Sequence, residues 1–442
     1  MTSFSSTLRL RPISRYVLIA FCLISIAVSG RQILWYGSHG PAVADLRIFM
    51  TGIDLVHSGH AHELYQFPAQ QQAQLHLYPQ TRSSGLLPFN HLAFELLFYW
   101  PVFGLSYRTA WLVCALANLA LVFLIAWLLS PLTPTLRQTT GIPLALCLLA
   151  FYPVMYVLGE GQDSLLFLLL LVLSLRWMKK RTFLAGFFLA LACFKFHLVL
   201  LIAFFALFLR GKWRGLAGFV AGGLLAGAIS FAIVGPPIFH DYPALLRTQS
   251  LVTPWGFIPW FMPNLRGILQ WALAHWLDAG IILPFVFMSS VIVAVIATWL
   301  ILGNRTKQDD AMAYSVAILT TVLISYHLHM QDLAMASLPM LVLAEKALSE
   351  WSQRSTPIQE SASPRPSTPW TLLLAATIAA LYLYRIVCEM FPILLLRGCL
   401  MAIPVFVLWI VALRYLCERP AASPVLSEAL PLDSAAPVFG KA

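Results

Sequence analysis

Five groups of polar residues interrupt an otherwise apolar chain. They are Asp45, Asp54, His57 and Tyr65; Glu160, Gln162 and Asp163 in the turn GEGQDS; Lys195 and His197; His240, Asp241, Arg247, Asn264 and Arg266; and His327, His329 and Asp332 in YHLHMQD. The recurring combination is a carboxylate beside cations or imidazoles. One carboxylate can take the proton of a hydroxyl nucleophile, while Lys, Arg or His neutralises a departing phosphate. Inverting transfer of a sugar from a phospholipid donor needs that pair of roles. It needs no second carboxylate as nucleophile, unlike a retaining glycosidase.

The elements that must position these groups are membrane helices. The 442-residue chain is 60% hydrophobic and 10% charged, and soluble domains carry about 25% charged residues. Apolar runs recur at about 16–30, 108–130, 142–158, 163–178, 183–194, 197–209, 214–235, 279–303, 311–326, 333–346, 369–388 and 392–413. The expectation is an all-α integral membrane protein, a bundle of about 12 transmembrane helices. The Arg9, Arg11 and Arg15 cluster before the first run fits either a signal peptide or an uncleaved first span; with so many spans following, the uncleaved span is preferred. The net charge is +10, but Lys and Arg lie in short clusters between apolar runs, as the positive-inside rule expects, so nucleic-acid binding is not expected. Contact with anionic membrane lipids is a plain consequence. The seven cysteines form no CxxC pair and read as small hydrophobes.

With the N-terminus inside, the first outer loop is 31–107 and a second large outer loop is 236–277. The stretch 87–104 is long enough to cross but carries Asn90, His91, Glu95 and Pro101. Laying it flat at the outer interface keeps Lys179-Lys180-Arg181, Arg210/Lys212/Arg214 and Arg305/Lys307 inside, and that reading is adopted. All five polar groups then fall on the outer face. The runs 183–194 and 197–209 are each too short to cross the ~30 Å core at about 1.5 Å per residue. They meet at Lys195-Phe196-His197, and an ionisable pair there is a functional hypothesis by default. Residues 1–346 read as the catalytic region, 347–368 as a cytoplasmic linker, 369–416 as a C-terminal helix pair and 417–442 as a disordered tail.

Each residue also has a plainer reading. Asp45 suits a solvated loop carboxylate or a helix cap; Asp54 is its rival, two and a half turns away if the segment is helical. Lys195 could snorkel to the interface. Arg266 could anchor to headgroups, and the tryptophans near it form an interfacial belt. His327 and His329 stand at i, i+2, which does not face two imidazoles together on a helix, so no metal ligation is expected. A transporter or flippase of a lipid-linked or anionic substrate is the alternative function; it would favour polar groups near mid-bilayer and two related halves. A non-catalytic scaffold would leave buried ionisable groups as needless cost.

Several motifs together resemble a known family. They are Asp45-Leu-Arg-Ile-Phe49 followed by Gly59 and Tyr65, then LLPFNHLAFELLFYWPVFGLS, Gly161-Gln162, FLAGFFLALACFKFHLVLL, MPNLRG and SYHLHMQDLAM. In this order they resemble the membrane glycosyltransferases of the GT-C fold, specifically family 87, the polyprenyl-phosphate-mannose-dependent mannosyltransferase group. The chain departs from the family pattern at Leu87-Pro88-Phe89, Asp163-Ser164 and Phe196-His197, where Tyr-Pro-Pro, Asn and Pro are common. The resemblance implies a GT-C-like bundle whose long first outer loop carries juxtamembrane helices. It implies a polyprenyl-phosphate-linked sugar donor, with mannose the first expectation, and a glycan or glycolipid acceptor at the outer face of the plasma membrane, both termini being cytoplasmic. It implies Asp45 as the catalytic base, Lys195 as the outer-face lysine and His327 or His329 as the late histidine; from the polar residues themselves, Lys195, His197, Arg266, His327, His329, Gln162, Asn264 and Tyr65 are expected to contact substrate or phosphate. No cofactor is expected, and no divalent metal.

Overall fold

The structure is a computed structural model that describes residues 12–42, 44–252, 258–306, 309–354 and 368–418. Every regular element among them is helical. Six helices are long and apolar enough to cross a membrane: Pro12–Gly37, Tyr107–Leu132, Trp213–Val234, Ala279–Gly303, Pro369–Met390 and Arg397–Cys417. Their exposed surface is studded with Phe123, Trp127, Leu224, Phe287 and Trp299, side chains that water would penalise and lipid does not. The chain is a multi-pass membrane protein.

Several of the other apolar runs form shorter helices among the described residues. The run 142–158 is cut at Phe151 into Leu144–Ala150 and Tyr152–Glu160, with Pro153 in the first turn of the second. The runs near 163–178 and 311–326 become Ser164–Trp177 and Asp310–Ile324. Helices of 14 and 15 residues reach only ~21–23 Å at about 1.5 Å per residue. Their side chains are largely buried within the protein, so they form the interior wall of the bundle. The stretch 87–104 breaks into Ala93–Glu95, Leu96–Tyr99 and Trp100–Val102, and no continuous helix crosses there.

The runs 183–194 and 197–209 form Thr182–Ala190 and Cys193–Phe208, bent by 61° at their junction. A π-helical turn, Phe204–Phe208, ends the second half. The first half lies hard against Trp213–Val234 along a glycine seam. A Cβ on Gly186 would fall 1.7 Å from the Gly215 carbonyl oxygen, and one on Gly218 would fall 1.9 Å from that of Phe183. Small residues at this spacing let two helix backbones touch, the packing that serves where lipid removes the hydrophobic drive.

At the other end of the bundle, the Glu345 carboxylate accepts from the Thr135 and Leu136 amides at 3.0 and 2.7 Å. It supplies the orphan N–H groups of Pro134–Thr140 with an anion. The helix Ser337–Arg354 runs on through the first residues of the 347–368 segment. Residues 355–367, Arg9, Arg11, Lys307 and the tail from 419 lie outside the described residues.

The seam yields a prediction. Gly186→Val should cost at least about 3 kcal/mol, because the strain falls on backbone that cannot step aside. Gly227→Ala, on the same helix pair but with open space around it, should be neutral or slightly stabilising. Thermal unfolding in detergent compares the two, and equal melting temperatures would contradict the close packing.

Candidate functional site

The helix Tyr152–Glu160 ends on Gly161, whose φ of +66° lies in the left-handed region. The Gly161 and Gln162 amides both return to the Val157 carbonyl, closing the helix end. This turn aims three polar residues at one place. The Glu160 carboxylate accepts from the Asp45 backbone amide at 2.8 Å. Gln162 Nε2 donates to Asp45 Oδ2 at 2.6 Å. Asp163 Oδ1 lies 2.8 Å from Lys195 Nζ.

The segment 325–332 meets the same two partners from the other side. Gln331 Nε2 lies 3.5 Å from Asp45 Oδ2, and Asp332 Oδ1 lies 2.7 Å from Lys195 Nζ. Ser164 Oγ and the His329 amide hold the Asp332 carboxylate at 3.2 and 3.0 Å. Lys195, Asp163 and Asp332 are almost wholly enclosed, at 5, 1 and 5% side-chain exposure. Asp45 is half-buried at the head of the helix Leu46–His57. Its side chain makes no cap bond to that helix, which removes the helix-cap reading.

A second cluster adjoins Asp163. His91 Nδ1 lies 2.5 Å from Glu95 Oε2 and 3.5 Å from Asp163 Oδ2, and its ring is wedged beside Phe49 and Phe89. Burial opposes a charge on His91, but the carboxylates of Glu95 and Asp163 outweigh it and lift the imidazole to about 10. Burial also pushes the enclosed Glu95 carboxyl well above the ordinary range. The donor atoms of His91, Glu95 and Asp163 converge within 4.8 Å, the one set among the described residues with the composition of a cation site. Their contacts to one another and to Lys195 already engage them.

Beyond Lys195 stand imidazoles and a guanidinium. The His197 and His327 rings are 5.9 Å apart, and those of His327 and His329 are 4.4 Å apart. Burial, with the neighbouring His329 next, holds His327 well below the ordinary histidine value. Arg266 donates to the Tyr326 carbonyl at 2.9 Å and lies 4.0 Å over its ring.

The expected site residues therefore divide. Asp45, Gln162, Lys195, His197, His327 and His329 come together, and Arg266 joins them through the Tyr326–His327 backbone. Asn264 acts as a brace: it caps Leu265–Leu273 by accepting from the Gly267 amide and donates to the Ser325 carbonyl, with no exposed surface. The Tyr65 hydroxyl is spent on the His91 carbonyl at 3.0 Å, so it supports the His91 cluster. Asp54 lies beside Met50, Leu77 and Val102, and His240 and Asp241 pair with each other near Gln66. The residues not singled out from sequence are His91, Glu95 and Gln331. The Gln-Asp dipeptide occurs at 162–163, 308–309 and 331–332, so its recurrence alone did not mark Gln331.

Comparison with known proteins returns one family. Glycosyltransferase family 87 matches residues 93–325, more than half of the chain. The matched part includes Glu160–Asp163, Lys195, His197 and Arg266, with Asp45 before it and His327–Asp332 just after. No curated protein and no solved structure matches.

Glu160 generates a pH prediction. Burial first, and the charge of Asp45 second, push its carboxyl from 4.5 up to about 8. The folded state thus binds this proton more tightly than the unfolded chain. The stabilisation is complete below about 4.5 and is lost as pH rises through about 8. Across that window the melting temperature of the protein should fall relative to that of Glu160→Gln. A gap that stays constant with pH would contradict the assignment.

Proposed function

The chain belongs to glycosyltransferase family 87, and on that premise we propose that it moves a sugar, mannose in the first instance, from a polyprenyl-phosphate donor to a hydroxyl of a glycan or glycolipid. In this reading Asp45 is the general base. Its carboxylate is half-exposed, and one of its oxygens is tethered by two neutral amides. That arrangement orients a base without neutralising it, and it is the observation that carries the proposal. A hydroxyl hydrogen-bonded to the free oxygen loses its proton as it attacks the anomeric carbon. The bond to the phosphate breaks on the opposite face, and the configuration inverts.

The departing phosphate needs donors. Arg266 and the His197, His327 and His329 group supply them, two or more histidines acting as neutral hydrogen-bond donors in a site poor in water. The outer face of the plasma membrane is the proposed location, since that is where the positive-inside arrangement of Lys and Arg puts these loops. The chemistry requires no cofactor beyond the lipid-linked sugar.

The direct test is sugar transfer in nanodiscs from a radiolabelled polyprenyl-phosphate mannose to a membrane glycolipid extract. Asp45→Asn should lower turnover at least about 10³-fold, the scale of a lost general base acting with orientation, while it elutes and melts like the wild type. Equal transfer by both would move the base elsewhere. Transfer only from another lipid-linked sugar would change the donor and leave the base in place.

A further inference from the structure

The Gln-Asp dipeptides at 162–163 and 331–332 treat the same two partners alike. In each, the Gln side chain reaches Asp45 Oδ2 and the next side chain reaches Lys195 Nζ. The two come from loops far apart in sequence, so the base and the ammonium are gripped between matching jaws. We propose that these dipeptides form a bracket that sets the orientation of Asp45, and that Lys195 is the positioning residue that closes it, in place of a ligand for the leaving phosphate. This rests on the reading of Asp45 as the base.

Three observations carry it. The first is charge: Lys195 faces Asp163 and Asp332 at 2.8 and 2.7 Å, so its positive charge is already matched by two carboxylates and is not left over for an arriving phosphate. The second is enclosure. Two of the ammonium's three donors are committed to carboxylates, and the Lys195 side chain is 5% exposed. The third is where the amides bind. Both fall on Oδ2 of Asp45, which leaves Oδ1 for the acceptor's hydroxyl.

The chain of cause runs from charge to geometry. Without Lys195, Asp163 and Asp332 repel each other across the gap and the jaws open. A base displaced by about 1 Å costs on the order of 10²-fold in rate. Neutral side chains of the same shape should close the jaws again, because a buried ion group replaced as a whole is tolerated far better than one partner removed alone.

The experiment compares Lys195→Met, the triple variant Lys195→Met/Asp163→Asn/Asp332→Asn, and Gln331→Leu with the wild type, by transfer kinetics and by thermal unfolding in detergent. Lys195→Met should lose about 10²-fold in kcat, and Gln331→Leu about tenfold, each with the donor KM within about twofold of wild type. The triple variant should regain about tenfold or more of the kcat lost in Lys195→Met, and its melting temperature should return toward that of the wild type. Failure of Lys195→Met to fold while the triple variant folds supports the bracket equally. A donor KM raised about tenfold in every variant lacking Lys195 would overturn it, since that is the mark of a lost phosphate ligand. So would a triple variant no more stable and no more active than Lys195→Met. Should the wild type transfer no sugar from any polyprenyl-phosphate donor, the transferase reading of Asp45 falls. The melting temperatures then still decide whether Lys195 closes the bracket.

Discussion

An ammonium group enclosed in an apolar helical bundle has to be matched by negative charge, and the rest of the site follows from how Lys195 meets that demand. Its desolvation costs several kcal/mol. The cost is offset by two carboxylates within 2.8 Å, one from the turn after Tyr152–Glu160 and one from the segment after Asp310–Ile324. Holding both fixes three separate parts of the chain to one point. The Gln residues beside those carboxylates are then delivered to Asp45, and the first outer loop is pinned to the bundle. The site is thus built outward from its most buried charge toward its most exposed one.

The local backbone serves the same end. Lys195 sits where two half-helices meet at 61°, so it is not held on a straight helix among lipid-facing neighbours. The glycine seam lets the first half-helix press against Trp213–Val234, which leaves little freedom in the position of the bend. Gly161 reverses the chain tightly enough that Glu160, Gln162 and Asp163 reach Asp45 and Lys195 from within four residues. His91 and Glu95 close the cluster from the interfacial segment, where Tyr65 holds the backbone of His91.

Much of this was legible in the residues. Composition and run length give the helical membrane class, because nothing else accommodates so few charges. Positive-inside parity assigns the polar groups to one face; in the structure Asp45, Gln162, Asp163, Lys195, His197, His327, His329 and Asp332 come together, while Asp54, His240 and Asp241 lie elsewhere. Asp45, Lys195 and Gln162 are recognisable because ionisable and amide groups stand out in apolar surroundings. Other features depend on three-dimensional pairing that a linear reading does not contain. Of the apolar runs, six form helices long enough to cross a membrane among the described residues, and a bent pair makes up to seven; the linear pattern does not separate these from the rest, since buried short helices have the same apolar composition as lipid-facing ones. Asn264 looked like a contact residue, yet its amide is consumed by a helix cap and a loop carbonyl. Gln331 is neutral and sits beside the more conspicuous histidines, and a third Gln-Asp pair at 308–309 keeps its match with Gln162 from marking it.

The bracket also bears on how the protein is made. Lys195 and Asp332 are separated by 137 positions, whereas Asp163 precedes Lys195 and lies in the neighbouring hairpin. Chains are synthesised from the N-terminus, and their parts fold as they emerge. The ammonium therefore enters the bilayer with one carboxylate already at hand and waits for the second through the insertion of two further long helices. During that interval the half-helix pair carries a single compensated charge, and the first outer loop has only one of its two amide tethers. On that order of synthesis, the contacts of residues 325–332 with Asp45 and Lys195 are the last of this cluster to form.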